Sequence, residues 1–172
     1  MPTLLIRPAC VTDAQDIARI HILAWQTAYR GLVPDAYLAS MDLQQRCDSW
    51  EKLLAASQHP VGVAQSGSSL AGWADFGASR DVSAAPSAGE IYGIYLAPER
   101  WRRGIGSQLF AAAIHALAQA DFSSASLWVL QDNPVARRFY ERMGMSCEDL
   151  PCPVTLGGRE LQKVRYHMQI AG

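Results

Sequence analysis

Residues 89–106 constrain the fold more than any other stretch, because three kinds of local structure follow one another there. β-Branched, aromatic and aliphatic side chains predict a strand as far as Leu96, and Pro98 ends it. Three arginines follow within four residues, and then comes a Gly-Ile-Gly sequence. The apolar residues beyond it recur at steps of three and four, which predicts a helix ending near residue 121. A helix N-terminus has unpaired N–H groups and a partial positive charge, so this order predicts an anion site.

The residues of this loop suit an anion without identifying it. Arg102 and Arg103 carry forked donors that match phosphate oxygens, and glycines let the backbone approach an anion closely. The loop is not a P-loop, because no Lys-Ser/Thr follows its second glycine, and it lacks the Gly-x-Gly-x-x-Gly of dinucleotide sites. A lone Gly-x-Gly is weak evidence, and a solvated arginine run beside a tight turn is the alternative interpretation.

The composition is that of a globular protein with a balanced charge. Hydrophobic residues make up 49% and charged residues 18% of the 172 residues, which predicts one domain over residues 1–172. The formal net charge of −1 gives no general argument for nucleic-acid binding. No apolar run has the length of a membrane span, and the N-terminus lacks the apolar region of a signal peptide. A cytoplasmic protein with neither a nucleic-acid nor a membrane partner is therefore expected.

Cysteine and histidine are too scattered along the chain to predict a metal site or a disulfide framework. The four cysteines form no Cys-x-x-Cys pair, and the four histidines show no ligand spacing. We therefore expect free thiols and no metal.

Hydrophobic periodicity and turn residues divide the chain into strands and helices. The predicted strands span residues 3–7, 61–65, 70–78, 89–96, 125–130, 145–150 and 161–170. Apart from the helix that ends near residue 121, the predicted helices span residues 13–29, 43–57 and 134–143. A flexible connection is expected over residues 79–88, and a loop with two prolines and two glycines joins the last two strands.

Three helix starts carry recognisable signals. Thr12 and Gln15 fit a capping box before the first helix, and Asp42 and Gln45 fit a second box. Asn133 fits an N-cap before the last helix, because a proline follows it.

An aromatic stripe runs along the first predicted helix at four-residue steps, through His21, Trp25 and Tyr29. One interpretation is partly buried aromatic packing. The other is one wall of a substrate pocket, since these side chains join flat apolar area to polar tips.

Two stretches together resemble the GNAT superfamily of acetyl-coenzyme A-dependent N-acetyltransferases. The first is EIYGIYLAPERWRRGIGS over residues 90–107, and the second is LWVLQDNPVARRFYERMGM over residues 127–145. Ile6-Arg7-Pro8 and the segment from residue 24 to residue 34 also look like one bacterial branch, so the resemblance covers most of the chain. Trp101 departs from the family pattern, which often has Gln or Arg at that position. We expect a small loss from this, because the loop binds mainly through backbone N–H groups.

The resemblance implies a set of coenzyme contacts. The pyrophosphate would lie at Arg102, Arg103, Gly104, Ile105, Gly106 and Ser107. The backbone of Ile94, Tyr95 and Leu96 would pair with the pantetheine arm like an added strand. Gly93 lies where the family strand often bulges, and a bulge would separate this strand from the next one and open that edge. Asn133 and Tyr140 would face the coenzyme from the last helix.

The expected fold is α/β (α+β), with a mixed, strongly twisted sheet of six to seven strands and helices on both faces. The strands at residues 89–96 and 125–130 should be parallel neighbours, because a helix connects them. Homodimers are common in the family, so a homodimer stays open, although nothing in the sequence indicates an interface.

The implied function is an N-acetyltransferase that moves an acetyl group to a primary amine of a small molecule by direct attack. Tyr140 would act as general acid toward the departing thiolate, its alternative role being that of a core tyrosine. Glu90 would be the base, or else a solvated carboxylate at a strand end. Trp25 and Tyr29 would line the acceptor pocket.

Two alternatives to a small-molecule acetyltransferase remain open from sequence. The acceptor would be a protein or peptide N-terminus if the aromatic stripe lined an open groove. The chain would be a non-catalytic acyl-coenzyme A-binding module if it bound the thioester without turnover, since fold does not fix function.

Overall fold

The computed structural model describes residues 4–170 of the chain. The strands are β1 (Leu4–Pro8), β2 (Val61–Ser66), β3 (Ser69–Ala78), β4 (Ala88–Leu96), β5 (Ser124–Leu130), β6 (Ser146–Cys147), β7 (Cys152–Leu156) and β8 (Arg159–Gln169). The α-helices are α1 (Ala14–Ala28), α2 (Asp35–Ala39), α3 (Leu43–Ala56), α4 (Ile105–Gln119) and α5 (Pro134–Arg142). Short 3₁₀ turns span Val11–Asp13 and Pro98–Arg100. The first residue of the strand predicted at 3–7 lies outside the described residues.

The strands form one mixed sheet in the order β1-β2-β3-β4-β5-β8-β6, and β7 also pairs with β8. β4 and β5 are parallel, as predicted from the helix that connects them, and the other pairs are antiparallel. The mixed α/β sheet is confirmed, although the described part of the chain has eight strands rather than six to seven. The single domain expected over residues 1–172 stays a prediction.

The additional strand comes from the segment that we predicted to be a loop. β7 pairs with β8 in a hairpin from Cys152 opposite Lys163 to Leu156 opposite Arg159. Two glycines with positive φ form its turn. The loop prediction relied on the prolines of this segment, but a proline is tolerated in a strand when its missing N–H faces away from the ladder.

Helices cover both faces of the sheet, and the two faces have separate cores. Trp73 and Ala74 are adjacent on β3, so their side chains point to opposite faces. Trp73 belongs to a buried cluster with residues of α1 and α3, such as Ile17 and Trp50. Ala74 belongs to a cluster with residues of α4, such as Leu109. The candidate site lies in the middle of the sheet, at β4, between these two layers of helices.

The start of α3 confirms its predicted cap, whereas the start of α1 does not. The backbone N–H of Gln45 donates to the carboxylate of Asp42 over 2.7 Å. Before α1, a 3₁₀ turn replaces the predicted capping box, and Asp13 takes the position of the N-cap without a capping hydrogen bond from its side chain. That carboxylate instead pairs with Arg7 over 2.7 Å, and this hydrogen-bonded pair lowers the pKa of Asp13 to about 2.

Candidate active site

A bulge separates β4 from β5 in the middle of the sheet. The two strands pair only over residues 88–90 and 124–126. On its other edge β4 follows β3 with a shift of register, since Asp75 is opposite Gly93 but Phe76 is opposite Ile91. Tyr92 is therefore the extra residue of a bulge, one residue before the Gly93 position that the resemblance indicated, and bulges bend the strand that carries them. The result is a cleft between the second half of β4 and the neighbouring strand β5.

Backbone groups of β4 point into this cleft. Ala97 donates its N–H to the carbonyl of Ala71 on β3 over 3.0 Å. Because an antiparallel ladder alternates, the N–H and C=O groups of Leu96 and Ile94 face the opposite side, toward the cleft. The carbonyl of Leu96 already accepts a hydrogen bond of 3.0 Å from the indole N–H of Trp101. The open strand edge that the family resemblance implied is therefore present. Trp101, the loop residue that differs from the family pattern, covers one of its carbonyls.

The basic loop leads into α4 at the same end of the cleft. Gly104 is the N-cap of α4 with φ of +76°, and no side chain caps the first turn. Arg102 and Arg103 are exposed, whereas Ile105 and Gly106 are buried. A helix N-terminus without a capping acceptor leaves its N–H groups available to an anion.

The first turn of α4 lies next to side chains of β4 and α5. A Cβ atom placed on Gly106 would lie 3.4 Å from the side chains of Leu96 and Phe139. The next position, Ser107, is half-buried. The six loop residues that the resemblance assigns to the pyrophosphate therefore lie together at one end of the open strand edge.

Tyr140 lies on α5 in a ring of aromatic side chains. Its ring centroid is 5.1 Å from that of Phe139 and 6.3 Å from that of Phe110. Burial, together with the neighbouring Tyr29, raises the pKa of Tyr140 well above its usual value. Within residues 4–170 its hydroxyl makes no hydrogen bond. Tyr140 is therefore a protonated, partly buried phenol whose hydroxyl donates to no acceptor among the described residues.

Asn133 is the N-cap of α5, as predicted. It is 9% exposed, and its side-chain oxygen accepts a hydrogen bond of 3.1 Å from the backbone N–H of Ala136. This bond uses the oxygen of the amide and leaves the nitrogen with no partner in the described part of the chain. The cap explains why a polar residue is tolerated at this buried position.

Glu90 is not the solvated carboxylate that we considered at the end of a strand. It is 3% exposed. One carboxylate oxygen accepts the backbone N–H of Arg80 over 2.8 Å, and the other accepts two guanidinium N–H groups of the same residue. The Arg80 guanidinium also lies 4.4 Å from the ring centroid of Tyr92. Glu90 thus fixes the first residues of the connection after β3, and the base role stays a prediction that these bonds make less favourable.

Trp25 and Tyr29 meet the side chain of Tyr95 on the opposite face of the sheet from α4. The Trp25 and Tyr29 rings meet edge to face at 4.8 Å. The hydroxyls of Tyr29 and Tyr95 lie 3.5 Å apart. His21 stacks on Tyr95 at 5.3 Å with an interplanar angle of 13°. The aromatic stripe of α1 is therefore packed against Tyr95, and it also forms part of the wall of a cavity.

This wall belongs to a cavity of about 290 Å³ between α1, α3 and the bulge. Aromatic side chains make up half of its lining, namely His21, Trp25, Trp50, Trp73, Tyr92 and Tyr95. Its charged residues are Arg46, Asp75 and Arg80, none of which the sequence identified as functional. Asp75 lies in β3 and Arg80 just after it, whereas Arg46 comes from α3, and only the fold brings them together.

Asp75 lines the cavity and lies opposite Gly93, next to the bulge. One carboxylate oxygen would be 3.2 Å from a Cβ placed on Gly93. The other lies 3.3 Å from Nε2 of His59. The side chains of Asp75 and His59 are 13% and 20% exposed. A carboxylate at this position reaches the cavity, and the imidazole behind it reaches solvent.

His21 and Arg46 give the far side of the cavity its electrostatic character. Burial, together with the Arg46 guanidinium, lowers the pKa of His21 to about 3. His21 is therefore neutral at physiological pH. Arg46 makes no ion pair with any carboxylate of residues 4–170.

The described residues contain no cluster of three or more His, Cys, Asp or Glu side chains that could hold a metal ion. None of the helices in that part of the chain is both long and apolar enough to cross a membrane.

A family model and a curated relative both match this chain, and both are described as acetyltransferases. The sequence model described as the acetyltransferase (GNAT) family matches residues 20–145. An uncharacterized N-acetyltransferase, YuaI, of Bacillus subtilis (strain 168) is 38% identical over 130 residues, which cover 75% of this chain and 73% of that protein.

Solved structures share the fold at low sequence identity. The PaiA N-acetyltransferase of Thermoplasma acidophilum in complex with coenzyme A superposes with a TM-score of 0.76 at 20% identity, covering 95% of this chain and 98% of that one. The putative acetyltransferase YncA of Salmonella typhimurium with its cofactor acetyl-CoA also gives a TM-score of 0.76 at 20% identity, covering 99% and 95%. The eight-stranded, mostly antiparallel sheet with its helices is thus the fold of those proteins.

Proposed function

The chain belongs to the acetyltransferase (GNAT) family, and we propose that it moves the acetyl group of acetyl-coenzyme A to the primary amine of a small molecule. The observation that carries this proposal is the cleft in which the open edge of β4 meets the uncapped N-terminus of α4. Such a cleft offers a strand edge to an extended arm and N–H groups to phosphates.

The coenzyme would occupy the cleft from the loop to the bulge. Residues 104–107 would offer their N–H groups to its pyrophosphate, and Arg102 and Arg103 would contribute charge. The backbone of Ile94 and Leu96 would pair with the pantetheine arm. Tyr95 lies between them, but its N–H and C=O face β3 and its side chain enters the aromatic wall on the other face of the sheet.

The thioester would lie at the bulge, beside the acceptor cavity. The amine nitrogen attacks the thioester carbonyl, and a tetrahedral intermediate with an oxyanion forms. The N–H of Ile94, turned toward the cleft, is the donor for that oxyanion. The C–S bond then breaks, and the product amide and a thiolate remain.

Tyr140 stabilises the departing thiolate of coenzyme A. A thiol has an unperturbed pKa of about 8.5, well below the raised pKa of this phenol. Complete proton transfer from phenol to thiolate is therefore uphill, so the phenol acts first as a hydrogen-bond donor to the developing charge. Asn133, next to the start of the same helix, contacts the coenzyme through its amide nitrogen.

Asp75 receives the proton of the amine, a role that fits its position better than that of Glu90. Alkyl amines have pKa values of about 10, so the acceptor arrives as an ammonium ion. The Asp75 carboxylate faces the cavity beside Gly93 and is backed by His59. The nitrogen loses two protons in the reaction, one from the ammonium ion before the attack and one as the amide forms. Each would pass to Asp75 and leave through the partly exposed imidazole of His59.

The cavity favours a small acceptor over a folded protein. Its volume of about 290 Å³ is at the lower end of the range for small-molecule sites. Trp25 and Tyr29 supply part of its flat apolar wall. The homodimer and the cytoplasmic location expected from sequence stay predictions.

Release of free thiol from acetyl-coenzyme A tests the proposal. The protein is mixed with the thioester and with pooled small amines, amino acids, polyamines and short peptides in separate wells. Thiol release with a small amine supports the proposal, and release with peptides alone contradicts the small-molecule acceptor. Binding of the thioester without release in any well favours the non-catalytic module.

A further inference from the structure

Of the two arginines that line the acceptor cavity, one is paired with a carboxylate and the other is not. The Arg80 guanidinium is paired with the buried carboxylate of Glu90. Arg46 also lines the cavity, but no carboxylate lies within ion-pair distance of it in the region from residue 4 to residue 170. A half-buried cation beside aromatic walls is costly to leave without an anion. The cavity therefore has one cation whose partner the protein does not provide.

The position of Arg46 is fixed by the helix that carries it. Arg46 and Trp50 are four residues apart on α3, so they project from the same face of the helix, and both line the cavity. The field of Arg46 reaches the interior of the cavity, because it contributes to the lowered pKa of His21. Since His21 stays neutral, it neither repels an anion nor compensates one.

The negative charge of the cavity, the Asp75 carboxylate, lies at the bulge, where the proposed function puts the acetyl group. Asp75 lies beside Gly93 and does not pair with Arg46. The cavity thus offers a carboxylate at the reacting end and a guanidinium on α3, with Trp73 and Tyr95 among the aromatic side chains of its wall.

The same asymmetry disfavours an acceptor with two positive charges. A dication whose one amine lay at Asp75 would place its other charge near Arg46, which also lines the cavity.

We infer that the acceptor is a small amino acid-like molecule whose amine lies at Asp75 and whose acid group pairs with Arg46. This inference rests on the proposed function and specifies its substrate class. A plain alkylamine leaves Arg46 without a partner. A peptide N-terminus has a neutral amide where this molecule has its acid group, so it lacks the same partner.

Matched acceptors of three sizes test the inference. Each set contains an α-amino acid, its primary amide and the amine that lacks the carboxylate: glycine, glycinamide and methylamine, then the leucine and phenylalanine equivalents. Thiol release from saturating acetyl-coenzyme A gives kcat/KM for each compound. The expected result is a preference of about 10- to 100-fold for the acid over its amide and amine, the effect of one charge-assisted pair.

Variants of Arg46 assign that preference to this residue. Arg46→Met keeps an unbranched side chain and should remove the preference for the acid while kcat/KM for the plain amine is retained. Arg46→Lys should restore part of it. Arg19→Met, at an exposed arginine on α1, is the matched control and should leave the preference unchanged. Thermal unfolding of all variants confirms that they fold.

The outcomes separate the inference from the proposed function. Amides or plain amines that react as well as the acids, or an equal loss for all three compounds in Arg46→Met, overturn the inference and leave the acetyltransferase intact. No thiol release with any of the nine compounds, together with release on other amines, also overturns it. No release with any amine overturns both.

Discussion

The carboxylate of Asp75 and the imidazole of His59 lie 3.3 Å apart, between the acceptor cavity and solvent. They come from the middle of β3 and from the segment that precedes β2. Their side chains are both mostly buried, yet both retain access, Asp75 to the cavity and His59 to solvent. This pair connects the proposed site of amine attack to bulk water.

Asp75→Asn should lower kcat/KM by about 100-fold, the contribution of one general base. The amide cannot accept the proton of the amine, so the loss should shrink as the pH rises and more acceptor is already neutral. A pH–rate profile of the variant against the wild type measures this. The control is Asp48→Asn, at an exposed carboxylate on α3. Equal activity of Asp75→Asn and wild type at neutral pH would remove Asp75 from proton transfer.

Glu90→Gln distinguishes the two carboxylates. If Glu90 only holds Arg80, the variant should lose stability but keep the shape of the wild-type pH–rate profile. If Glu90 is the base, the pH–rate profile of Glu90→Gln should no longer show the ionisation of a base, whereas that of Asp75→Asn should still show it. Chemical unfolding and pH–rate profiles of both variants separate these outcomes.

Tyr140→Phe should lower kcat by about 100-fold and leave the dissociation constant of acetyl-coenzyme A nearly unchanged. The reason is that the hydroxyl is needed once the thiolate develops, whereas the ring remains packed against Phe139. The comparison is with Tyr37→Phe, at a half-buried tyrosine of α2. An unchanged kcat would mean that Tyr140 is only a core residue.

Asn133→Ala should lower the free energy of unfolding by about 1 kcal/mol through loss of the cap of α5. Asp42→Ala removes the corresponding cap of α3 and should cost a similar amount. Urea unfolding measures both. Only the Asn133 variant should also bind acetyl-coenzyme A more weakly, and equal binding by the two variants would assign Asn133 to the cap alone.

His21 should make the protein less stable as the pH falls from about 6.5 toward the lowered pKa of about 3. In this window the unfolded chain binds a proton that the folded chain does not bind, so acid favours unfolding. The contribution is at most about 1.4 kcal/mol per pH unit. Urea unfolding at pH 7 and pH 5 should show a smaller loss in His21→Phe than in wild type. An equal loss in both proteins would contradict the account of His21.

Local signals in the sequence predicted an anion site at the start of α4, and the family resemblance assigned it to the coenzyme. The strand, the arginines and the glycines of residues 89–106 are contiguous, so their order already determines how they are arranged. The same holds for Asn133, where cap and proline are adjacent. The expectation of a bulge near Gly93 came from the family resemblance rather than from any local signal, and the extra residue is Tyr92.

The acceptor side could not be predicted, because its charged residues meet only in the folded protein. Arg46, Asp75 and Arg80 belong to a helix, a strand and a connection, and none has a motif of its own. Glu90 was visible on its strand, but its burial depends on Arg80, which lies ten residues earlier in a segment expected to be flexible. The capping box predicted at Thr12 was wrong as well, because a 3₁₀ turn precedes α1 and the Asp13 carboxylate pairs with Arg7 instead of capping the helix.

The central claim is that the cleft between β4 and β5 binds acetyl-coenzyme A, and calorimetric titration with the thioester tests it most directly. The wild type should bind one equivalent with a micromolar dissociation constant. The double variant Arg102→Ala/Arg103→Ala should bind more weakly, with a smaller dependence on salt. Adding a pool of small amines to the titrated wild-type sample should then release free thiol. No binding by the wild type, or binding that the double variant retains in full, would contradict the account of the cleft.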